Sequence, residues 1–263
     1  MQTFETPQKL DSFFVEQSVV NLLKAVQKRS RTQAVNVLVK GKQGCGKTAL
    51  GKQFAAINER PYAEFQVGLL AESGQLFGSQ VLHDGNVEYE RYAFLDAIQT
   101  EDIVINLDEF NRAQNAKAMN GIFSVLDDRR EVRIDELAEI IPVHPTAVFF
   151  ATLNEGIEFS GIDLLDAALS DRFYVVHLDI LQANQEKALL QSRTKITAEQ
   201  ADKLVEVITA ARHNDVFIST RKMLSMGSLL FDGLDLRESI LFSLNADQDT
   251  TEKVLMACQL KEA

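Results

Sequence analysis

The stretch that decides the fold is Gly41-Lys42-Gln43-Gly44-Cys45-Gly46-Lys47-Thr48. It fits the pattern G-x-x-x-x-G-K-[ST], follows a β-branched run from Val35 to Val39, and precedes a helical pattern that starts at about Lys47. The glycines allow backbone N–H groups to curl around phosphate oxygens, and the following helix contributes the positive end of its dipole. The sequence therefore predicts a phosphate-binding loop between a strand and a helix.

Within this loop, each residue has an expected part in binding a nucleoside triphosphate with Mg²⁺. The Lys47 ammonium is expected to reach the β- and γ-phosphates and the Thr48 hydroxyl to bind Mg²⁺. The remaining candidate nucleotide-binding residues of the loop are Gly41, Gln43, Gly44, Cys45, Gly46 and Ala49.

A second motif is the apolar run from Ile103 to Leu107, which ends in the adjacent carboxylates Asp108 and Glu109. We expect Asp108 to bind nucleotide and Mg²⁺, and Glu109 to orient and deprotonate a water for in-line attack on the γ-phosphate. An acidic turn after a strand is common, so the preceding phosphate loop is what favours a catalytic role. The pair predicts hydrolysis as well as binding.

A third polar residue, Asn154, follows the buried-strand pattern Ala147–Thr152. It could touch the γ-phosphate or help to position the water. Asparagine is also an ordinary turn former at the end of a strand, so this residue is predictive only together with the other two motifs.

Five short apolar runs alternate with helical patterns up to about residue 179, at Val35–Val39, Tyr62–Val67, Ile103–Leu107, Ala147–Thr152 and Phe173–Leu178. This alternation predicts a parallel five-stranded sheet flanked by helices, and the segments after it predict helices alone. We therefore expect an α/β nucleotide-binding core over 1–179 and a helical lid domain over 180–263. Two insertions are expected in the core, at about 68–92 and at 131–144, the second as a hairpin.

Composition limits the function classes. Of 263 residues, 38 are acidic and 27 basic, which gives a formal net charge of -11 and disfavours non-specific binding to nucleic acid. The two cysteines do not suggest a disulfide framework. No targeting segment or membrane helix is evident, so we expect a cytoplasmic protein without a membrane partner.

Together these motifs resemble the AAA+ ATPases, and more narrowly the MoxR group, over roughly residues 16–178. One matching stretch is Asp108-Glu109-Phe110-Asn111-Arg112-Ala113, which is similar to D-E-x-N-R-A. Another is Ser170-Asp171-Arg172-Phe173, which is similar to L-D-R-F. Two shorter stretches also resemble the group, Phe65-Gln66-Val67 and Leu76-Phe77-Gly78. The resemblance implies an AAA+ core with a parallel sheet and a C-terminal all-α lid.

The resemblance also implies roles for single residues. Lys47 and Thr48 would form Walker A, Asp108 and Glu109 Walker B, Asn154 sensor 1, Arg172 an arginine finger on the adjacent subunit's ATP, and Arg221 the sensor 2 contact. Arg221 lies in Ser219-Thr220-Arg221, where the family often has proline at position 220. The alternative for Arg172 is a surface salt bridge worth at most ~1 kcal/mol. Arg112 could contact a partner or a pore, or begin a solvated helix, and Arg129 and Arg130 are expected to be ordinary helix-end cations.

The function implied by the resemblance is a homo-oligomeric, hexameric ring that uses ATP and Mg²⁺ to remodel a protein client. A separate von Willebrand A-domain protein is a candidate partner. Both insertions would engage the client or line the pore, the alternative being that they only cover sheet edges. Two other functions stay open, a nucleic-acid motor or loader, which the net charge disfavours, and a non-hydrolysing scaffold, which Glu109 and Arg172 disfavour.

Overall fold

The computed structural model describes residues 2–72, 74–110, 120–155, 171–244, 250, 253, 254 and 256. The strands are β1 (Val35–Gly41), β2 (Tyr62–Gln66), β3 (Gly78–His83), β4 (Asn86–Arg91), β5 (Val104–Asp108), β6 (Glu131–Ile134), β7 (Glu139–Pro142), β8 (Val148–Asn154) and β9 (Tyr174–Leu178). The helices are α1 (Gln17–Arg29), α2 (Lys47–Ile57), α3 (Gly74–Phe77), α4 (Ala93–Gln99), α5 (Asn120–Leu126), α6 (Ala183–Thr194), α7 (Ala198–His213), α8 (Thr220–Phe231) and α9 (Leu236–Leu244).

The core is a five-stranded parallel sheet with strand order β2-β5-β8-β1-β9. All seven residues of β8 are buried, and four of the five in β5 are buried, as expected for strands that helices cover on both faces. The sheet confirms the predicted fold class, and each predicted core strand lies within a residue or two of its observed position.

The order of the strands places three loops at one edge of the sheet. β1, β8 and β5 are neighbours, and in parallel strands the carboxyl ends all lie at the same edge. The loop after Gly41, the carboxylates Asp108 and Glu109, and Asn154 are thereby gathered from positions more than a hundred residues apart.

At the opposite edge of the sheet, the buried side chain of Arg60 ties several loops together. Its guanidinium donates hydrogen bonds to Ser30 Oγ (2.7 Å), to the Asp102 carbonyl (2.6 Å) and to the Thr146 carbonyl. Burial lowers the pKa of this guanidinium, and the charge of Asp102 acts in the opposite direction. Arg60 therefore satisfies carbonyls that these connections would otherwise leave without partners.

Each predicted insertion contains an antiparallel hairpin. The first is β3–β4, preceded by the short helix α3, and the second is β6–β7. In the first hairpin, Leu82 and Val87 face each other across the strands and are 75% and 67% exposed. The tip of β3–β4 therefore presents two apolar side chains to solvent.

The residues after β9 form only helices where the structure describes them. Helices α6 to α9 bury an apolar core that includes Leu190, Leu204, Ile208 and Met223. Local signals define the ends: Thr197 begins α7 with a capping box, and Ser219 Oγ accepts the Lys222 amide at the start of α8. The helical pattern of the sequence continues over Thr250–Leu260, which lies largely outside the described residues.

The contacts within the chain divide it into two compact units. One comprises residues 1–9, 16–41 and 47–178, and the other residues 10–15, 42–46 and 179–263. The domain limits of 1–179 and 180–263 stay a prediction. None of the helices in the described part of the chain is long and apolar enough to cross a bilayer.

A buried ion pair is the principal polar contact inside the helical unit. Arg212 donates to both carboxylate oxygens of Glu186, at 3.0 and 2.8 Å, and to the Ile218 carbonyl at 2.7 Å. Glu186 is 1% exposed, so removing its partner leaves a buried charge uncompensated.

We expect Arg212→Met to lower the free energy of unfolding by ~3–5 kcal/mol, measured by denaturant titration. Lys203→Met is the matched control, because Lys203 lies on the same helix and pairs with Glu199 at 3.0 Å on the exposed surface. The control should cost at most ~0.5 kcal/mol. Equal losses in the two variants would contradict a special contribution of the buried pair.

Candidate nucleotide-binding site

The phosphate loop follows β1 and turns at two glycines. Gly44 and Gly46 have φ of +76° and +96°, a region that residues with a Cβ rarely adopt. The helix α2 begins at Lys47, whose side chain is 7% exposed and whose Nζ donates to the Gly41 carbonyl at 2.9 Å. The Lys47 ammonium is therefore held at the start of the loop.

Two hydroxyl groups converge on one oxygen of Asp108. The Thr48 hydroxyl donates to Asp108 Oδ1 at 3.1 Å, and the Thr152 hydroxyl donates to the same oxygen through a short hydrogen bond. Thr48 lies on α2, Asp108 at the end of β5 and Thr152 on β8. The two predicted metal-binding residues, Thr48 and Asp108, are thus in direct contact.

Glu109 follows Asp108 in a left-handed backbone conformation, with φ of +55°. This is uncommon for a residue other than glycine, and two contacts hold it: the Glu109 amide donates to Thr152 Oγ1 at 3.1 Å, and Glu109 Oε2 accepts from Gln66 Nε2 at 2.9 Å. The turn directs the Glu109 side chain toward the end of β2.

Thr152 and Gln66 had no predicted role, although the structure places both in contact with the predicted acidic pair. Thr152 is 1% exposed and contacts both acidic residues, while Gln66 lies opposite Asp108 in the β2–β5 register. A polar residue near the carboxyl end of each neighbouring strand was the available signal. Without the strand order, however, the sequence could not indicate which ends would meet.

Asn154 ends β8 and lies directly opposite Gly41 in the β1–β8 register. It is 8% exposed, and the amide of the next residue, Glu155, donates to the Gly41 carbonyl at 3.1 Å. The structure therefore brings Asn154 beside the first residue of the phosphate loop.

The two arginines assigned by resemblance occupy different units and are described separately. Arg172 lies in the turn before β9, and its side chain is exposed. Arg221 lies in the first turn of α8, beside the phosphate loop: a Cβ added to Gly44 would lie 2.8 Å from Ser219 Oγ and 3.4 Å from Arg221 Cβ. Arg112 lies outside the described residues.

The expectation that Arg130 is an ordinary helix-end cation is wrong. Its guanidinium is half-buried and donates to Asn36 Oδ1 at 2.7 Å, to the Ala34 carbonyl at 3.2 Å and to the Val125 carbonyl at 3.3 Å. Burial lowers the pKa of Arg130 and outweighs the nearby acidic charges. Its neighbour Arg129 is exposed and pairs with Asp127 at 2.7 Å. The contrast arises because the left-handed backbone at Arg130, with φ of +50°, turns the chain back toward the sheet.

The residues at the edge of the sheet fit a magnesium nucleotide. Across the described ranges, no three His, Cys, Asp or Glu side chains group as a metal site, so a cation here would rely on one carboxylate and one hydroxyl. Mg²⁺ prefers oxygen ligands and commonly binds through one or two protein groups together with phosphates. Thr48 and Asp108 form such a pair directly after the glycine turn.

The parallel sheet, the glycine turn before α2 and the carboxylate pair after β5 define a P-loop ATPase fold. Residues 36–173 match the AAA domain (dynein-related subfamily), and the chain belongs to this family. The resemblance to AAA+ ATPases of the MoxR group is confirmed.

Relatives agree with this assignment. BssE of Thauera aromatica, described as a candidate chaperone, is 44% identical over 252 residues, which are 95% of this chain and 88% of that protein. An uncharacterized protein of Staphylococcus aureus is 27% identical over 179 residues, 66% of this chain and 65% of that one.

Solved structures share the fold. A RuvB mutant of Thermotoga maritima superposes with a TM-score of 0.62 at 18% identity, over 97% of this chain and 73% of RuvB. NtrX of Brucella abortus, solved in complex with ADP, gives a TM-score of 0.57 at 16% identity, over 92% and 54%. At these identities the likeness concerns the fold alone.

We expect Thr152→Val to lower the free energy of unfolding by ~1–3 kcal/mol, because it removes a hydroxyl that pairs two neighbours and leaves the Glu109 amide without that acceptor. The measurement is denaturant unfolding of the nucleotide-free protein. Thr152→Ser keeps the hydroxyl and should lose less than half as much. If the serine variant is as unstable as the valine variant, packing of the methyl group explains the loss and the hydrogen bonds do not.

Proposed function

We propose that this chain is the subunit of a ring-forming, Mg²⁺-dependent ATPase that remodels or activates a protein client. The observation that carries the proposal is the contact of Thr48 with Asp108, next to Glu109 and directly after a glycine turn. Binding and hydrolysis require phosphate donors, a metal-binding pair and a base, and these groups lie at one edge of the sheet.

Each residue has a part in hydrolysis that follows from its position. The loop amides from Gly41 to Ala49 and the Lys47 ammonium bind the phosphates and offset their charge. Thr48 and Asp108 would hold Mg²⁺, which when bound would neutralise phosphate charge. Asn154, at the end of β8, is proposed to donate to the γ-phosphate or to the attacking water.

Glu109 is proposed as the general base. Its carboxylate takes a proton from water as the water oxygen bonds to the γ-phosphorus and the bond to the β–γ bridging oxygen breaks, leaving ADP and phosphate. The hydrogen bond from Gln66 to Glu109 Oε2 sets the direction of the carboxylate. Asp108 has a different task, because its Oδ1 already accepts from two hydroxyls.

The ring follows from the proposed arginine finger. The exposed side chain of Arg172 can reach the ATP of a neighbouring copy, where a guanidinium accelerates phosphoryl transfer by roughly 10³–10⁵ in known finger systems. We propose a hexamer in which Arg172 acts in trans, and we keep Arg221 as the proposed sensor 2 contact to the γ-phosphate.

Work on a protein client is supported by two observations. The hairpin β3–β4 exposes Leu82 and Val87, which offer an apolar contact at the tip of the hairpin. The relative BssE is described as a candidate chaperone. We propose that this hairpin and the β6–β7 hairpin engage the client in the cytoplasm. A separate von Willebrand A-domain protein can serve as the adaptor. The net charge of -11 does not favour nucleic acid as the client.

The shared site is tested by complementation between two inactive chains. Glu109→Gln keeps the finger and loses the base, while Arg172→Ala keeps the base and loses the finger. We expect each variant alone to fall at least ~10³-fold in ATP turnover, and an equimolar mixture to regain part of the wild-type rate. Turnover per wild-type chain should also rise with protein concentration as rings form.

The control is a mixture of Glu109→Gln with Lys47→Ala, which has no competent site on either chain and should stay inactive. Native mass spectrometry of Glu109→Gln with ATP and Mg²⁺ is expected to show six copies. A turnover that is independent of concentration and survives Arg172→Ala would disprove the ring and the finger while leaving nucleotide binding intact.

A further inference from the structure

The turn that carries Arg172 is held by a buried amide on the central strand. Asn36, on β1, is 2% exposed, and its Nδ2 donates to the Arg172 carbonyl at 3.1 Å and to the Leu126 carbonyl at 2.8 Å. Leu126 is the last residue of α5. The Asn36 side chain therefore hydrogen-bonds both the end of that helix and the turn before β9.

Arg130 fixes the orientation of this amide. Its guanidinium donates to Asn36 Oδ1 at 2.7 Å, so the oxygen faces the cation and the NH₂ group must face the two carbonyls. The same guanidinium donates to the carbonyls of Ala34 and Val125. Because the Asn36 nitrogen donates to two carbonyls and its oxygen accepts from Arg130, the amide cannot rotate without breaking several buried hydrogen bonds.

The residues after Arg172 are anchored as well. Phe173 is 9% exposed and its ring packs edge-on against Phe110 at a centroid distance of 6.0 Å, and Tyr174 begins the pairing of β9 with Val37 of β1. The Arg172 backbone is thus held by a hydrogen bond at its carbonyl and by a buried ring directly after it, while its side chain is exposed.

The charge of Arg172 also acts on a nearby carboxylate, that of Asp127. Burial disfavours ionisation of Asp127, but hydrogen bonds from Arg129 and the charges of Arg129 and Arg172 outweigh it and hold the pKa of Asp127 below its ordinary value. The guanidinium therefore projects from an anchored backbone beside an ionised carboxylate.

We propose that Asn36 and Arg130 are positioning residues for the arginine finger: they hold the backbone of Arg172 where its guanidinium reaches the nucleotide of the adjacent subunit. This inference rests on the proposed function above. Holding a charged group to within about 1 Å matters, because a misplacement of that size can cost ~10²-fold in rate. The effect belongs to the chain that donates the finger and not to the chain that binds the reacting ATP.

That asymmetry gives the test. The donor chain is Glu109→Gln, which keeps Arg172, and the acceptor chain is Arg172→Ala, which keeps the base. Asn36→Ala is introduced into one or the other, and each is mixed with its unmodified counterpart. On the donor side, we expect kcat of the mixture to fall at least ~10-fold with KM for ATP unchanged.

On the acceptor side, the same substitution should change the rate by less than ~2-fold, because that chain's finger is already absent. Activity there also shows that the Asn36→Ala chain folds and assembles. Asn106→Ala is the matched control, since Asn106 is a fully buried asparagine on β5, which β8 separates from β1, and its amide has no hydrogen-bond partner among the described residues. It should show no difference between donor and acceptor.

Arg130→Lys provides an independent variant, because lysine keeps the charge but cannot span the Asn36 oxygen and both carbonyls. It should reproduce the donor-sided loss. Equal losses on both sides, for either residue, would overturn the positioning role while leaving the shared site intact. If donor and acceptor fail to complement even without these substitutions, the shared site itself is wrong and this inference falls with it.

Discussion

The pairing of β1 with β8 on one side and β9 on the other is the constraint on which the rest of the structure depends. Because the strands are parallel, each residue at the end of β1 has neighbours from two distant parts of the chain. Gly41 lies opposite Asn154, so the phosphate loop starts beside the proposed sensor. Near its other end, β1 holds the turn that contains Arg172 through Asn36. In the proposed ring, one strand thus positions groups for two different nucleotide sites.

Buried polar side chains do much of this positioning, and their contacts differ in kind. The Thr152 hydroxyl joins Asp108 to the Glu109 amide, so β8 sets the relative placement of the proposed metal-binding carboxylate and the proposed base. Asn36 joins backbone carbonyls and relies on Arg130 for its orientation. In a low-dielectric interior such groups are costly unless satisfied, which makes the satisfied ones rigid.

Family membership, the proposed nucleotide chemistry and the proposed work on a client each have separate support. Membership of the dynein-related AAA family rests on the match over 36–173 and on the relative at 44% identity. The proposed nucleotide chemistry is supported by contacts within the chain, such as that of Thr48 with Asp108. The proposed work on a client is supported by the exposed apolar pair Leu82 and Val87 at the tip of the β3–β4 hairpin.

Residue type, spacing and local periodicity were enough to predict the phosphate loop, the acidic pair and the alternation of strands and helices. The sequence also located Asn154 and Arg172 through their motifs. The tertiary structure alone decided which strand ends meet, and hence the parts of Gln66 and Thr152. It likewise decided that Arg130 turns inward to Asn36 while Arg129 pairs at the surface. Adjacent arginines look alike in a sequence, and only the left-handed turn at Arg130 and the carbonyls it meets distinguish them.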